Sequence, residues 1–167
     1  MIATIATTLI ALSISQAEPA FPRGLKPGDS IATVRKAYPG LKFDESIGPK
    51  IKWYAPPPKI QIFGETAGFS AAFLNGRLVR AYFFFPSKVF SPLSSTRAYD
   101  ALVEKYGEPT STEVINKDSV EEKWWWNADV EILLSRSKDG FVALHYFNSP
   151  LSASYTEALK QAEQNEF

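Results

Sequence analysis

The stretch GFSAAFLNGRLVRAYFFFP, residues 68–86, decides the fold of this chain. Its centre is Asn75-Gly76, a pair that tolerates positive φ angles and strongly favours a tight β-hairpin turn. The residues on both sides are mostly apolar, aromatic or β-branched, as in strands. We therefore predict two antiparallel strands joined at Asn75-Gly76, with Pro86 ending the second strand.

Helical signals flank this hairpin on both sides. DSIATVRKAYPG, residues 29–40, offers Asp29 or Ser30 as the N-cap and ends at Pro39-Gly40. SSTRAYDALVEKYGEP, residues 94–109, offers Ser94 or Ser95 as the N-cap. Its apolar side chains recur at helical spacing (Tyr99, Leu102, Val103, Tyr106), and Gly107 ends the run.

Further strands and a last helix complete the pattern. EKWWWN, VEILLSRS and GFVALHYFN follow the second helix and are separated by turn signals. The stretch IKWYAPPP is interpreted as a loop with a stiff polyproline connector. Ser154 and Glu157 form a capping box for a C-terminal helix at about residues 152–165.

Both halves have the same order of helix, Trp-containing segment and hairpin strands. Asn75-Gly76 in the first half corresponds to Asp139-Gly140 in the second half. This predicts a single α+β domain over residues 18–167, made of a diverged tandem repeat. The first repeat covers about residues 24–86 and the second about 93–149. We expect three helices and about six or seven antiparallel strands.

The first seventeen residues, MIATIATTLIALSISQA, have the composition of a secretory signal peptide. The run is uncharged and too short to span a bilayer permanently. Ser15 and Ala17 match a small-x-small cleavage site, so the predicted mature chain begins at Glu18 and has no membrane anchor. The 167 residues include no cysteine, which excludes disulfides, thiol enzymes and a lipid-modified cysteine. A soluble periplasmic or secreted protein is expected.

The charge balance bears on the partner. The chain has 18 basic and 18 acidic residues and no basic run, which argues against nucleic acid or an anionic membrane surface as the partner.

The repeated pattern resembles the β-lactamase inhibitor protein-like fold and the related small outer-membrane assembly lipoproteins of the SmpA/OmlA type. The residues that carry the resemblance are Gly28, Val34, Tyr38, Pro39, Val103, Tyr106, Gly107 and Pro109. The chain departs from the lipoproteins in lacking their acylated cysteine, and from the inhibitor in lacking disulfide-forming cysteines. The resemblance implies one antiparallel sheet with helices on one face, and with the other face open. An inhibitory or assembly role is an analogy of fold only.

Strand alternation assigns residues to the two faces of this sheet. Val79, Ala81, Phe83 and Phe85 are expected in the core, and so are Trp124 and Trp126. The residues expected on the open face, as a site for a protein partner, are Phe63, Arg80, Tyr82, Phe84, Trp125, Glu131 and His145. An exposed aromatic patch with a few charges is typical of a recognition surface. The alternative is that the C-terminal helix or a loop covers this patch.

Catalytic chemistry has little support in the sequence. His145 is the one histidine, and no cysteine is available as a metal ligand. No phosphate-binding loop, calcium loop or nucleophile elbow occurs. We therefore expect a non-enzymatic binding or inhibitory module without metal or cofactor. The alternative is a hydrolase with His145 and either Glu131 or Asp129.

Overall fold

One antiparallel sheet forms the framework of the domain. The computed structural model describes residues 17–55, 59–114 and 121–164. The strands in these ranges are β1 (Lys42–Ile47), β2 (Ile51–Ala55), β3 (Ile60–Ile62), β4 (Glu65–Leu74), β5 (Arg77–Lys88), β6 (Ser111–Val114), β7 (Glu121–Trp126), β8 (Val130–Arg136) and β9 (Phe141–Asn148). Their order across the sheet is β1-β2-β4-β5-β9-β8-β7-β6, and β3 pairs with β4 outside this path. The predicted α+β class and antiparallel sheet are confirmed.

The described ranges contain more strands than the six or seven expected. β1 and β6, at the two edges of the sheet, were not predicted. The predicted loop at residues 51–55 is wrong, because these residues form β2 between β1 and β4. Edge strands are half solvated, so their sequences lack a strong apolar alternation. The predicted polyproline connector at residues 56–58 and the predicted signal peptide up to Gln16 lie outside the described residues.

The central hairpin forms where the sequence predicts it. Asn75 and Gly76 join β4 to β5, and both have positive φ angles (50° and 78°). Pro86 does not end β5, because the strand continues to Lys88 through an irregular pairing with β9.

A β-bulge in this hairpin changes the predicted face of one residue. Ala72 pairs with Arg80 and Phe73 pairs with Leu78, so Val79 is the extra residue. Leu78 enters the main core, whereas Val79 is buried against the C-terminal helix on the other face. The expectation that Val79 shares a face with Ala81 is therefore wrong.

Two helices cover one face of the sheet. α1 (Ile31–Ala37) begins after Ser30, whose hydroxyl accepts a hydrogen bond from the backbone N–H of Thr33. α2 (Arg97–Tyr106) ends at Gly107 as predicted. Its N-cap is Thr96, not Ser94 or Ser95, because the Thr96 hydroxyl accepts from the backbone N–H of Tyr99. The main core lies between these helices and the sheet.

The third helix lies on the opposite face. α3 (Ser149–Gln164) begins about three residues earlier than predicted, because the side chain of Asn148 caps it by accepting from the Leu151 N–H. Ser154 and Glu157 are therefore inside the helix and do not form its N-terminal capping box. On its apolar side, Tyr155 and Ala158 pack in a second cluster with Ile51, Ala72, Leu74 and Val79.

None of the helices in the described ranges is long and apolar enough to cross a membrane.

Candidate functional site

The face of the sheet opposite α1 and α2 presents three rows of side chains, which we call the open face. The first row follows the strand pairings through Trp53, Ala72, Arg80, Phe147, Glu131 and Trp126. The second row is Ser70, Tyr82, His145, Leu133, Trp124 and Ser111. The third row is Gly68, Phe84, Ala143, Ser135, Glu122 and Glu113. Directly opposed side chains in such rows contact one another across the strands.

Five of the seven residues predicted for the open face lie on it. Arg80 and Glu131 are in the first row, Tyr82 and His145 are adjacent in the second row, and Phe84 is in the third row. The alternation of β5, β8 and β9 therefore identified these positions correctly. Trp125 and Phe63 do not belong to this face.

Trp125 is a core residue. It is 1% exposed and packs in the main core, where its indole N–H donates to the carbonyl oxygen of Gly107 at 2.8 Å. It pairs with Ile132, which is also fully buried on the helix side. The predicted faces of β7 are thus inverted, because Trp124 and Trp126 are the two tryptophans on the open face.

An ion-pair cluster explains why β7 was assigned to the wrong face. Glu121 and Lys123 share the helix side of β7 with Trp125, and polar residues normally indicate the solvent side of a strand. Here Glu121 accepts from the backbone N–H of Leu93 and forms ion pairs with Lys123 and Arg136. These polar residues are paired with one another at the margin of the helix side. Their positions therefore do not indicate which face of β7 is open.

Phe63 lies at a turn and not within a strand. It has a positive φ of 54° between β3 and β4, and its ring packs against the main core. Alternation applies only where the backbone is extended, so it gave the wrong side for this residue.

Stacked rings connect the middle of the open face. Tyr82 and His145 have ring centroids 4.6 Å apart, and His145 and Phe147 are nearly parallel at 5.7 Å. Phe147 stacks in turn on Trp124 at 6.2 Å. Phe84 and Trp126 are each 46% exposed, so two large aromatic surfaces on this face are open to solvent.

Arg80 lies at the centre of these rings. Its guanidinium carbon is 4.8 Å from the centroid of Phe147 and 5.9 Å from those of Trp53 and Tyr82. An Nη atom of Arg80 hydrogen-bonds to Nδ1 of His145. Burial lowers the pKa of Arg80, while the nearby Tyr155 hydroxyl of α3 acts in the opposite direction.

His145 is held in its neutral form. Burial, together with the positive charge of Arg80, lowers its pKa from 6.5 to about 3. The neutral ring accepts the hydrogen bond from Arg80 with Nδ1. Neither Glu131 nor Asp129 forms a hydrogen bond or ion pair with His145 in the described part of the chain. The alternative of a hydrolase with His145 and either carboxylate therefore has no hydrogen-bonded pair to support it among the described residues.

A cleft opens beside Arg80, between the first strands and the sheet centre. It has a volume of about 400 Å³ and is lined by Asp44, Glu45, Ile47, Trp53, Ser70, Arg80, Tyr82 and His145. Asp44 and Glu45 are exposed at its rim, where β1 bulges against β2. Arg80, Tyr82 and His145 are brought together here by the pairing of β5 with β9.

The other side of the open face is acidic. Glu113 and Glu122 are directly opposed across β6 and β7, and Glu131 lies in the first row. Burial raises the pKa of Glu122, the Trp124 indole N–H that donates to it at 3.1 Å lowers it, and the charge of Glu113 raises it. No group of three or more metal-ligating side chains occurs in the parts of the chain that the structure describes.

α3 covers one margin of the open face and leaves the rest uncovered by it. Tyr155 of α3 lies close to Arg80 and Trp53. By contrast, Phe84 and Trp126 on the same face have exposed side chains. Within the described part of the chain, α3 therefore covers one part of the predicted patch, and another part has exposed side chains.

Four further aromatic residues lie on this face, although the sequence pattern did not predict them as part of the site: Trp53, Trp124, Trp126 and Phe147. Trp124 and Trp126 could have been identified from Glu131, since the pairing of β7 with β8 puts Trp126 opposite this outward residue.

Comparisons with known proteins do not identify the chain. No family model matches it, and no curated protein matches it. Among solved structures, it is similar to a cysteine-rich secretory protein from Staphylococcus aureus subsp. aureus Mu50, with a TM-score of 0.45 and 12% sequence identity. The match covers 80% of this chain and 49% of that protein, so the chain spans about half its length.

Proposed function

We propose that the chain is a non-enzymatic protein-binding or inhibitory module, exported to the periplasm or secreted, that binds a protein partner through the open face. The observation that carries the proposal is the continuous aromatic array centred on Arg80, with Phe84 and Trp126 46% exposed. Aromatic residues and arginine dominate the binding energy of typical protein interfaces. An uncovered patch of this kind is rarely left on a protein that has no partner.

The chemistry of His145 supports binding over catalysis. A general acid or base works best when its pKa is near the working pH. A pKa of about 3 and a hydrogen bond from Arg80 make His145 a poor proton carrier at neutral pH. Its role in the proposal is to orient the guanidinium of Arg80 among the rings.

A capture experiment tests the binding face. The mature chain and the variant Phe84→Ala/Trp126→Ala are used to retain partners from an envelope extract of the native host. Truncating such anchors costs about 2 kcal/mol or more each, so the double variant should lose the retained protein. Phe43→Ala is the matched control, because Phe43 is 54% exposed but pairs with Tyr54 on the helix side.

Two outcomes contradict the proposal. Equal retention by the double variant and the wild type would exclude the open face as the interface. Loss of retention with Phe43→Ala alone would place the interface on the other side of the sheet. If the double variant does lose the retained protein, a photo-crosslinking residue at position 126 should identify the partner by mass spectrometry.

Export has its own test. Mass spectrometry of the protein recovered from its host should give an N-terminus at Glu18, since the proposed cleavage site follows Ala17. A chain that keeps Met1 and fractionates with the cytoplasm would contradict export.

A further inference from the structure

The cleft beside Arg80 combines one cation, two aromatic side chains and two carboxylates that are exposed at its rim. We infer that it binds a carboxylate, supplied by an acidic side chain of the protein partner. The inference rests on the proposed function, because it names the group that the partner inserts.

Arg80 is a half-buried cation. Among the described residues it forms no ion pair, although charges withdrawn from water are normally paired. Its Nε–H is buried and has no hydrogen-bond partner among the described residues. Leaving such a donor unsatisfied is destabilising, and more so when the group is charged. An incoming carboxylate would satisfy both the donor and the charge.

The neighbours of Arg80 hold the guanidinium without neutralising it. His145 is neutral and accepts from one Nη atom, and the Tyr155 hydroxyl lies on the side of α3. Arginine remains protonated at any pH at which the protein is folded. The guanidinium of Arg80 is hydrogen-bonded to His145 and Tyr155, and its Nε–H is one arm of the planar fork with which arginine binds a carboxylate.

The walls and rim select the kind of anion. Trp53 and Tyr82 line the cleft with apolar ring surface, which favours a carboxylate attached to an apolar frame. Asp44 and Glu45 at the rim repel negative charge, and they repel a doubly charged phosphate more than a singly charged carboxylate. Both are exposed, so water and salt screen this repulsion more than they screen Arg80 at the floor.

The size of the cleft fits a side chain and not a folded segment. A volume of about 400 Å³ accommodates one or two amino-acid side chains. Phe84 and Trp126 lie outside the cleft, so they contact other parts of the partner. The carboxylate therefore acts as a specificity contact within a larger aromatic interface.

Capped dipeptides test whether the cleft binds a carboxylate, and the partner need not be identified first. N-acetyl-Phe-Asp-amide is titrated into the isotope-labelled mature chain, and N-acetyl-Phe-Asn-amide is the matched neutral probe. The NMR signals of the Trp53 indole N–H and the Arg80 Nε–H should shift saturably with the Asp peptide. The Asn peptide should bind at least about tenfold more weakly, which corresponds to about 1.4 kcal/mol.

Variants localise the binding. Arg80→Met should abolish the shift of the Trp53 indole, and Arg80→Lys, which keeps the charge but not the fork, should weaken binding of the Asp peptide. Asp44→Asn/Glu45→Gln should strengthen it about twofold by removing repulsion at the rim. Glu104→Gln should leave it unchanged, because Glu104 is exposed on α2, on the other side of the sheet. The Lys variant keeps the test valid if the Met variant does not fold.

The outcomes separate the inference from the proposed function. Equal binding of the Asp and Asn peptides would overturn the carboxylate assignment, whatever the capture experiment gives. Binding of phenylacetate without binding of the Asp peptide would overturn the protein source and indicate a small carboxylic acid as the ligand. Peptide binding together with a failed capture experiment would overturn the proposed function and keep the carboxylate site.

Discussion

The ring of Phe84 lies directly on Gly68, its partner across β4 and β5. A Cβ atom on Gly68 would come within 1.9 Å of Cζ and 2.1 Å of Cε1 of that ring. The absence of a side chain on Gly68 thus allows an exposed aromatic residue to lie flat on the sheet. Covering a strand glycine with a cross-strand aromatic ring also protects the backbone at a weak point of the strand.

The first prediction follows from this contact. Gly68→Ala should displace the Phe84 ring and destabilise the protein by about 1 kcal/mol. In the background Phe84→Ala, the same change should be neutral or stabilising, because alanine is better than glycine in a strand. Urea unfolding of the four proteins in this cycle measures the coupling. If Gly68→Ala changes the unfolding free energy equally in both backgrounds, the Phe84 ring is not the cause of the destabilisation.

The second prediction separates the three consecutive tryptophans. Trp125→Ala should cost about 3–5 kcal/mol of unfolding free energy, because it empties the main core and leaves the carbonyl of Gly107 without its donor. Trp126→Ala should cost less than about 1 kcal/mol, since that side chain is 46% exposed. Trp125→Phe should be intermediate, because the ring is partly kept and the hydrogen bond is lost. Equal losses for positions 125 and 126 would contradict the pairing of Trp125 with Ile132.

The third prediction concerns pH. The pKa of His145 is about 3 in the folded chain and 6.5 ordinarily, so the unfolded state binds one more proton between these values. Stability should therefore fall as the pH decreases from about 6.5 towards 3, by at most about 1.4 kcal/mol per pH unit from this group. His145→Gln should reduce the slope relative to the wild type in the same denaturant series, since other titrating groups contribute equally to both. Identical slopes would mean that His145 is not the group responsible.

The fourth prediction concerns the acidic side of the open face. Glu113 and Glu122 face each other across β6 and β7, and like charges in this position are destabilising. Glu113→Gln should stabilise the protein at neutral pH by a few tenths of a kcal/mol and should lower the pKa of Glu122. An NMR titration of the Glu122 side chain measures the shift. The matched variant Glu104→Gln on α2 should leave this pKa unchanged.

The sequence by itself determined the elements whose signals are local. The hairpin at Asn75-Gly76 and the glycine that ends α2 depend on the φ angles that these residues adopt at little cost. Alternation correctly assigned Arg80, Tyr82 and His145 to one side, because β5 and β9 lie at the sheet centre. At the sheet centre the helices bury one face of these strands, so the side chains of that face are apolar.

The tertiary structure decided the features that depend on pairing between distant segments. Trp125 is buried because β7 pairs with β8 in the register that sets it opposite Ile132, and the ion pairs of Glu121 hid this from the local pattern. Val79 lies on the face opposite to the predicted one because of the bulge between β4 and β5. The sequence of β5 alone does not show where this bulge occurs. The cleft itself exists only because β1, whose edge position left no strong signal, sets Asp44 and Glu45 at its rim. A register shift of one residue reverses every side chain of a strand, so no local pattern fixes such a site.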